Sequence, residues 1–140
     1  MFGAFDISTS ALSAQRTRLD TIASNIANVD SILSPDGKAS PYRRLYPIFQ
    51  AQGSDAFGGT GQSGSGVKVT QIKQDSSPFI RRYEPWNAAA ADKDGYVNYP
   101  NVNLSTEYIN ALETTRAYEA NITAIETTKS MMAATLRVLA

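Results

Sequence analysis

The side chains that most often carry catalytic or metal-binding chemistry are missing from this chain or stand in unsuitable patterns. The sequence has no Cys and no His, so it offers no thiolate ligand, no disulfide and no imidazole base. Ser and Thr are plentiful, but no imidazole is available to activate them as nucleophiles. Glu113, Glu119 and Glu126 are spaced along one predicted helix, where we expect them to face solvent or basic neighbours. The sequence therefore predicts a protein with no catalytic residues, no metal site and no cofactor.

Two short patterns are similar to ligand-binding loops but lack necessary parts. Asp92-Lys93-Asp94-Gly95 matches the middle of a calcium loop, yet Ala90 and Asn101 stand where that loop needs an oxygen ligand and a Glu. The Gly-rich stretch 58–66 contains no Lys and leads into a predicted strand, unlike a phosphate-binding loop. A tight turn and a flexible linker are the better interpretations.

Composition excludes further classes of function. The chain has 140 residues, enough for one domain, and its 13 basic and 13 acidic residues give no net charge. This balance argues against a nucleic-acid-binding surface and against an electrostatic membrane patch. The pairs Arg43-Arg44 and Arg81-Arg82 are expected to be solvated strand or loop residues. The first ten residues have no basic residue and no apolar core, so they do not predict a Sec-type signal peptide.

Two stretches, one near each end, carry residues at alternating intervals of three and four, which places them along one side of a helix. The N-terminal stripe runs from Leu12 to Val29, with Ser8 as its predicted N-cap and a turn at residues 34–37 after it. The C-terminal stripe follows Asn103, the predicted cap of the second helix. We expect such stripes to pack against each other or into a multi-chain bundle. The C-terminal stripe comprises Leu104, Tyr108, Ala111, Thr115, Tyr118, Ile122, Ile125, Lys129, Met132, Leu136 and Leu139.

The middle of the chain is predicted to form short strands joined by long turns. Strands are predicted at residues 42–49, 67–72, 79–83 and 96–99, and a flexible Gly/Ser loop at 53–66. The predicted fold is mainly α with a small β part. Its long terminal helices would pack as a coiled-coil-like bundle, with a short-stranded β insertion between them. The predicted organisation is an N-terminal helix in 1–34, a β-rich middle region in 35–102 and a C-terminal helix in 103–140.

Three asparagines lie beside the apolar residues of these helices. Asn25 and Asn28 neighbour Ile22 and Ile26, and Asn121 neighbours Ile122. A buried Asn in a helical stripe costs stability and selects register and partner geometry. Periodicity alone leaves this interpretation and a solvated position on the helix flank equally open. The sharper hypothesis is that all three make geometry-setting polar contacts between helices.

The stretch Ser24-Asn25-Ile26-Ala27-Asn28-Val29 resembles the N-terminal signature of bacterial flagellar axial proteins, the rod and hook subunits. Tyr42-Arg43-Arg44, Gly66-Val67-Lys68-Val69 and Asp75-Ser76-Ser77-Pro78-Phe79 narrow the match. So do the stretches 95–103 and 116–121. Together they resemble the proximal-rod branch of that family over nearly the whole chain. Ser24 and Asp30-Ser31 depart from the commonest form of the signature.

The resemblance implies a structural subunit of the proximal rod, the hollow drive shaft that transmits torque from motor to hook. It implies location in the periplasmic rod of the basal body and export by the flagellar type III system without a cleaved signal peptide. The implied partners are copies of the chain and homologous rod subunits, with the export-gate adaptor and the surrounding ring proteins as further candidates. Neither nucleic acid nor a small-molecule substrate is expected.

The leading hypothesis is therefore a non-enzymatic rod subunit. A helical adaptor or chaperone that binds one soluble partner through its terminal helices is the alternative, and a hydrolase with an unrecognised site is a third. In the leading hypothesis, subunit packing uses residues of both helices: Leu12, Leu19, Ile22, Asn25, Ile26, Asn28, Val29, Tyr108, Tyr118, Asn121, Ile122, Ile125, Met132, Leu136 and Leu139.

Overall fold

In the described residues, the chain forms a long helix near each end and four short strands between them in sequence. A computed structural model describes residues 2–34, 37–52, 66–87 and 91–139. The strands form two two-stranded sheets, β1–β2 and β3–β4. The predicted fold, mainly helical with a small β part, is confirmed at this level. Within the described residues, no helix has the length and apolar character needed to cross a membrane. The elements are α1 (Phe2–Ala27), β1 (Leu45–Ala51), β2 (Val67–Gln74), β3 (Ile80–Tyr83), β4 (Tyr96–Tyr99) and α2 (Leu104–Leu139).

The first helix begins earlier than its sequence pattern predicts. Because α1 already starts at Phe2, Ser8 lies inside the helix, and its prediction as the N-cap is wrong. The hydroxyls of Thr9 and Ser10 donate to the carbonyls of Phe5 and Ile7 one turn back, at 2.9 Å and 2.7 Å. Polar residues of this kind can therefore continue a helix by bonding to its own backbone instead of capping it.

The second helix begins where the sequence predicts. The side-chain oxygen of Asn103 accepts a hydrogen bond from the backbone N–H of Thr106 at 3.2 Å, as an N-cap does. The helix then runs for 36 residues, which corresponds to roughly 54 Å at 1.5 Å per residue. No Gly or Pro interrupts it.

A close approach joins the start of β2 to the first helix. Gly66 has φ of +111°, and a Cβ at this position would lie 2.2 Å from the hydroxyl oxygen of Ser10. That same oxygen accepts a hydrogen bond from the backbone N–H of Val67 at 3.0 Å. Only a residue without a side chain fits here. The rest of the predicted loop, residues 53–65, lies outside the described residues.

The β3–β4 hairpin has a definite antiparallel register, with Ile80 opposite Tyr99 and Tyr83 opposite Tyr96. The predicted turn before β4 is present, since the N–H of Gly95 donates to the carbonyl of Asp92 at 2.9 Å. Gly95 has φ of +77°, a conformation that favours glycine.

The chain divides into two compact units. The first comprises Met1–Leu19, Pro47–Gln71 and Leu112–Ala140, and the second comprises Asp20–Tyr46 and Ile72–Ala111. The buried apolar residues of the second unit are Ile22, Val97 and Val102. Thr21, Asn25 and Glu107 are buried in the same unit. A polar contact system therefore contributes to this core beside the apolar one.

Candidate assembly site

One face of α2 is buried or half-buried within the chain, and the rest of its surface is mostly exposed. Residues of the covered face recur at intervals of four and three, and each of them is buried or half-buried. We call them the inner row: Glu107, Ala111, Thr114, Tyr118, Asn121, Ile125, Thr128 and Met132. Half of these positions belong to the stripe predicted from sequence. The other half are polar and were not part of it.

The remaining members of the predicted stripe lie on the exposed side of α2. We call them the outer row: Leu104, Tyr108, Thr115, Ile122, Lys129 and Leu136, each of which is exposed. Tyr108 is 54% exposed and Leu136 is 66% exposed. Exposed apolar side chains at regular helical spacing are typical of a surface that a partner covers.

The first helix shows closer agreement with its predicted stripe. Ile22 is buried, and Leu12, Leu19, Ile26 and Val29 are half-buried. On α2, Tyr118, Ile125 and Met132 of the predicted packing residues are half-buried, whereas Tyr108, Ile122 and Leu136 are exposed. The side chain of Leu139 lies outside the described residues. Packing of these residues between subunits stays a prediction.

Of the three asparagines singled out from sequence, Asn25 makes a hydrogen bond to the other helix, and this contact lies within the second unit. Asn25 is 1% exposed, and its Nδ2 donates to Oε2 of Glu107 at 3.1 Å and to the carbonyl of Leu45 at 2.8 Å. Its Oδ1 accepts from the N–H of Leu45 at 2.8 Å and from the hydroxyl of Tyr42 at 3.1 Å. Asn25 therefore joins the end of α1, the start of α2 and the start of β1 with the residues just before it.

The other two asparagines bond locally. Nδ2 of Asn28 donates to the carbonyl of Ser24 at 2.8 Å, and its Oδ1 accepts from the hydroxyl of Ser31 at 3.1 Å. Nδ2 of Asn121 donates to the carbonyl of Ala117 at 2.7 Å. Both are half-buried. Each of these contacts lies within or next to the residue's own helix, so a role for either asparagine between subunits also stays a prediction.

Glu107 and Arg44 complete the polar system around Asn25. Glu107 is fully buried, and its Oε1 accepts from Nε of Arg44 at 2.8 Å. Removal of a charge from water is costly unless a partner compensates it, and this guanidinium supplies that compensation. Burial, reinforced by the negative charge of Glu107, raises the pKa of the Tyr42 phenol. Its hydroxyl donates to Oδ1 of Asn25 at 3.1 Å.

The prediction of solvated arginine pairs is wrong for Arg43 and Arg44, which are half-buried, and agrees with Arg81 and Arg82, which are exposed on β3. Arg44 is half-buried and ion-paired, and the guanidinium carbon of Arg43 lies 4.2 Å from the ring centre of Phe79. Arg81 and Arg82 are exposed, but their guanidinium groups lie 4.8 Å and 4.5 Å from aromatic ring centres of β4. Arg43, Arg81 and Arg82 therefore make cation–π contacts with aromatic rings, which the sequence pattern did not predict.

Sequence reasoning missed Arg44 and Glu107 as structural partners. Arg44 was expected to be a solvated charge, and nothing connected it to Glu107, which lies in the first turn of α2. Arg44 stands in the motif Tyr42-Arg43-Arg44, but Glu107 lies inside the predicted C-terminal helix, where no local pattern singled it out. Pairing them required knowledge of the fold, since they are 63 residues apart in sequence.

The described residues contain no group of three or more His, Cys, Asp or Glu side chains placed to hold a metal ion. The contacts around Asn25 and the exposed outer row have a positional consequence. The contacts fix the end of α1 against the start of α2, and the outer row leaves apolar side chains of α2 uncovered.

Comparisons with known proteins connect both ends of the chain to one kind of protein. Residues 5–31 match the family model described as "Flagella basal body rod protein". Residues 93–138 match the model described as "Flagellar basal body rod FlgEFG protein C-terminal". The two matches contain most of α1 and nearly all of α2.

Curated relatives match over almost the whole chain. The flagellar basal-body rod protein FlgC of Salmonella typhimurium is 44% identical over 132 residues, which cover 94% of this chain and 92% of the relative. FlgC of Bacillus subtilis is 38% identical and covers 98% of this chain and 97% of the relative. FlgC of Borreliella burgdorferi is 38% identical, with coverage of 99% and 97%. These relatives are named as rod proteins.

Proposed function

Because the chain belongs to the FlgC family of flagellar basal-body rod proteins, we propose that the terminal helices of this structural rod subunit pack it against its neighbours in the rod. Segments 1–34 and 103–140 supply the packing helices, and residues 35–102 lie outside them. In the assembly the helices form a coiled-coil-like bundle. The flagellar basal body is the location that this family membership gives.

The outer row of α2 is the observation that carries this proposal. Its large apolar members, Leu104, Tyr108, Ile122 and Leu136, are exposed in the single chain. They belong to the longer stripe whose alternating three-and-four spacing predicts helix packing. Burial of apolar surface stabilises by about 25 cal/mol per Å². A helix of 36 residues offers a long surface for such burial, and neighbouring helices are the partners with a matching repeat.

The expected partners are copies of this chain and homologous rod subunits. The export-gate adaptor and the surrounding ring proteins are further proposed partners. In this role the subunit forms part of the proximal, periplasmic rod, a hollow shaft that transmits torque. It reaches that place through the flagellar type III system without a cleaved signal. These finer points rest on the family resemblance.

The adaptor or chaperone hypothesis is not favoured, since the relatives are named as basal-body rod proteins. The hydrolase hypothesis has no support from these names either. Rod structure is the function to test.

The test compares two aspartate substitutions in one turn of α2. Leu136→Asp places a charge in the outer row, and Ala134→Asp places the same charge two residues earlier, on the opposite side of the helix. Both positions are exposed, so we expect both purified variants to keep the helix content of the unmodified protein. In cells that lack the native subunit, Ala134→Asp should restore rods and swimming, and Leu136→Asp should not.

The readouts are circular dichroism of the purified proteins, motility, and electron microscopy of isolated basal bodies. Normal rods built with Leu136→Asp would contradict the proposal that the outer row is an assembly surface. Equal failure of both variants would contradict the distinction between the two sides of α2.

A further inference from the structure

Arg44 contacts three other segments of the second unit, at Glu107, Asn101 and Asp75. Its side chain bonds Glu107 in α2, and its backbone N–H donates to Oδ1 of Asn101 at 2.9 Å. Its carbonyl accepts from the N–H of Asp75 at 2.8 Å, and its Nη1 lies 3.8 Å from Oδ2 of the same residue. Leu45, the next residue, holds Asn25 of α1 through both its backbone groups.

The amide of Asn25 has only one orientation that satisfies its neighbours. The N–H of Leu45 can only donate and the carbonyl of Leu45 can only accept, so the Asn25 oxygen must face the former and its nitrogen the latter. That nitrogen then points its second hydrogen at the Glu107 carboxylate. The donors and the acceptor of the Asn25 amide thus match a fixed arrangement of partners.

We propose that Arg44 and Glu107 are positioning residues that hold Asn25 between the end of α1 and the start of α2, and that the site between Asn25 and Glu107 accepts one negative charge only. Glu107 provides that charge, and Asn25 must supply a neutral donor toward it. The junction belongs to the single chain and does not depend on rod assembly.

The physical basis is the near-complete burial of both side chains. A second carboxylate at position 25 would face the first across 3.1 Å, a like-charge contact with little water to screen it. Packing would hardly change, because Asn and Asp have nearly the same shape, as do Glu and Gln. Charge and packing roles can therefore be separated by substitution.

The test uses Asn25→Asp, Glu107→Gln and the double variant Asn25→Asp/Glu107→Gln in the full-length protein. The single Asn25→Asp change should accelerate amide hydrogen exchange of residues 20–27 and 104–111 by on the order of a hundredfold, as expected for an uncompensated buried charge. The double variant moves the single charge across the pair and should recover the part of the lost protection that repulsion between the two carboxylates caused. The part that depends on the hydrogen bond from Asn25 to the Leu45 carbonyl should stay lost. If the single variant does not fold, recovery of folded protein in the double variant is the same result.

Asn28→Asp is the matched control. It makes the same change of charge three residues further along, at a half-buried position that bonds only to its near neighbours Ser24 and Ser31 among the described contacts. We expect a smaller effect on exchange and no recovery when Glu107→Gln is added. The proposal is overturned if Glu107→Gln fails to rescue Asn25→Asp, or if it rescues Asn28→Asp equally well.

Discussion

At the scale of single residues, Asp75 shows how a local hydrogen bond makes stability depend on pH. Its Oδ1 accepts from both the hydroxyl and the N–H of Ser77, at 2.5 Å and 2.9 Å. These bonds, with smaller contributions from Arg44 and Arg43, hold the pKa of Asp75 below its ordinary value of 3.8. The charged form of Asp75 is therefore favoured in the folded protein.

The sign of the pH dependence follows from this depressed pKa. Above the ordinary pKa the folded and unfolded states are both charged, and the full stabilisation is present. As the pH falls through the folded-state pKa, Asp75 takes up its proton in the folded state as well, and the stabilisation is lost. Asp75→Asn should remove this acid-side loss, and Ser77→Ala should reduce it.

Chemical unfolding at pH 7 and at a series of values below pH 4 measures the effect. The difference in unfolding free energy between the unmodified protein and Asp75→Asn should shrink as the pH falls. Parallel losses in both proteins across the acid range would show that Asp75 does not contribute as described.

At the scale of elements, the β3–β4 hairpin depends on the face that it buries. A two-stranded hairpin is at best marginally stable in water without packing on one face. Val97 on β4 is fully buried. On the other face, Tyr83 and Tyr96 stack edge to face with ring centres 5.3 Å apart, and both rings are exposed. The buried valine should therefore contribute more to stability than the exposed aromatic pair.

Val97→Ala should lower the free energy of unfolding by about 2 kcal/mol, from the lost methyl burial and the small cavity left behind. Tyr83→Ala is the comparison on the exposed face, and its cost should stay below about 1 kcal/mol, the scale of a cross-strand pair. Denaturant unfolding of both variants tests this order. A larger loss for Tyr83→Ala would indicate that the exposed face is covered in the isolated protein.

At the scale of the whole molecule, the absence of net charge predicts what drives association. The 13 basic and 13 acidic residues are spread along the chain, whereas the outer row of α2 exposes large apolar side chains. Association of purified subunits should therefore depend on apolar burial more than on attraction between charged surfaces.

We expect sodium chloride at moderate concentration to change self-association little, and ammonium sulfate to promote it, because sulfate strengthens apolar burial. Sedimentation velocity or light scattering across both salts gives the comparison, with Leu136→Asp as the variant in which the sulfate effect should weaken. Dissociation by modest sodium chloride would instead indicate an interface dominated by ion pairs.

The local features of the fold follow from sequence because their causes are local. Asn103 caps α2 through a bond to a residue three positions on, and Gly95 permits the turn before β4. Four strands lie within a few residues of their predicted places. The start of α1 is the exception, since Ser8 is compatible both with a cap and with a helix interior. The family, too, is recognisable from short motifs, because these keep their residues next to one another in the chain.

From sequence alone, two long helices and the short strands between them are predictable. Tertiary packing decides which rows of α2 are covered, because periodicity does not say what lies opposite a helix face. It also decides that Asn25 meets Glu107, 82 residues away. A hydrogen bond acts over about 3 Å in space, so pairing across such a separation exists only once the intervening chain has folded.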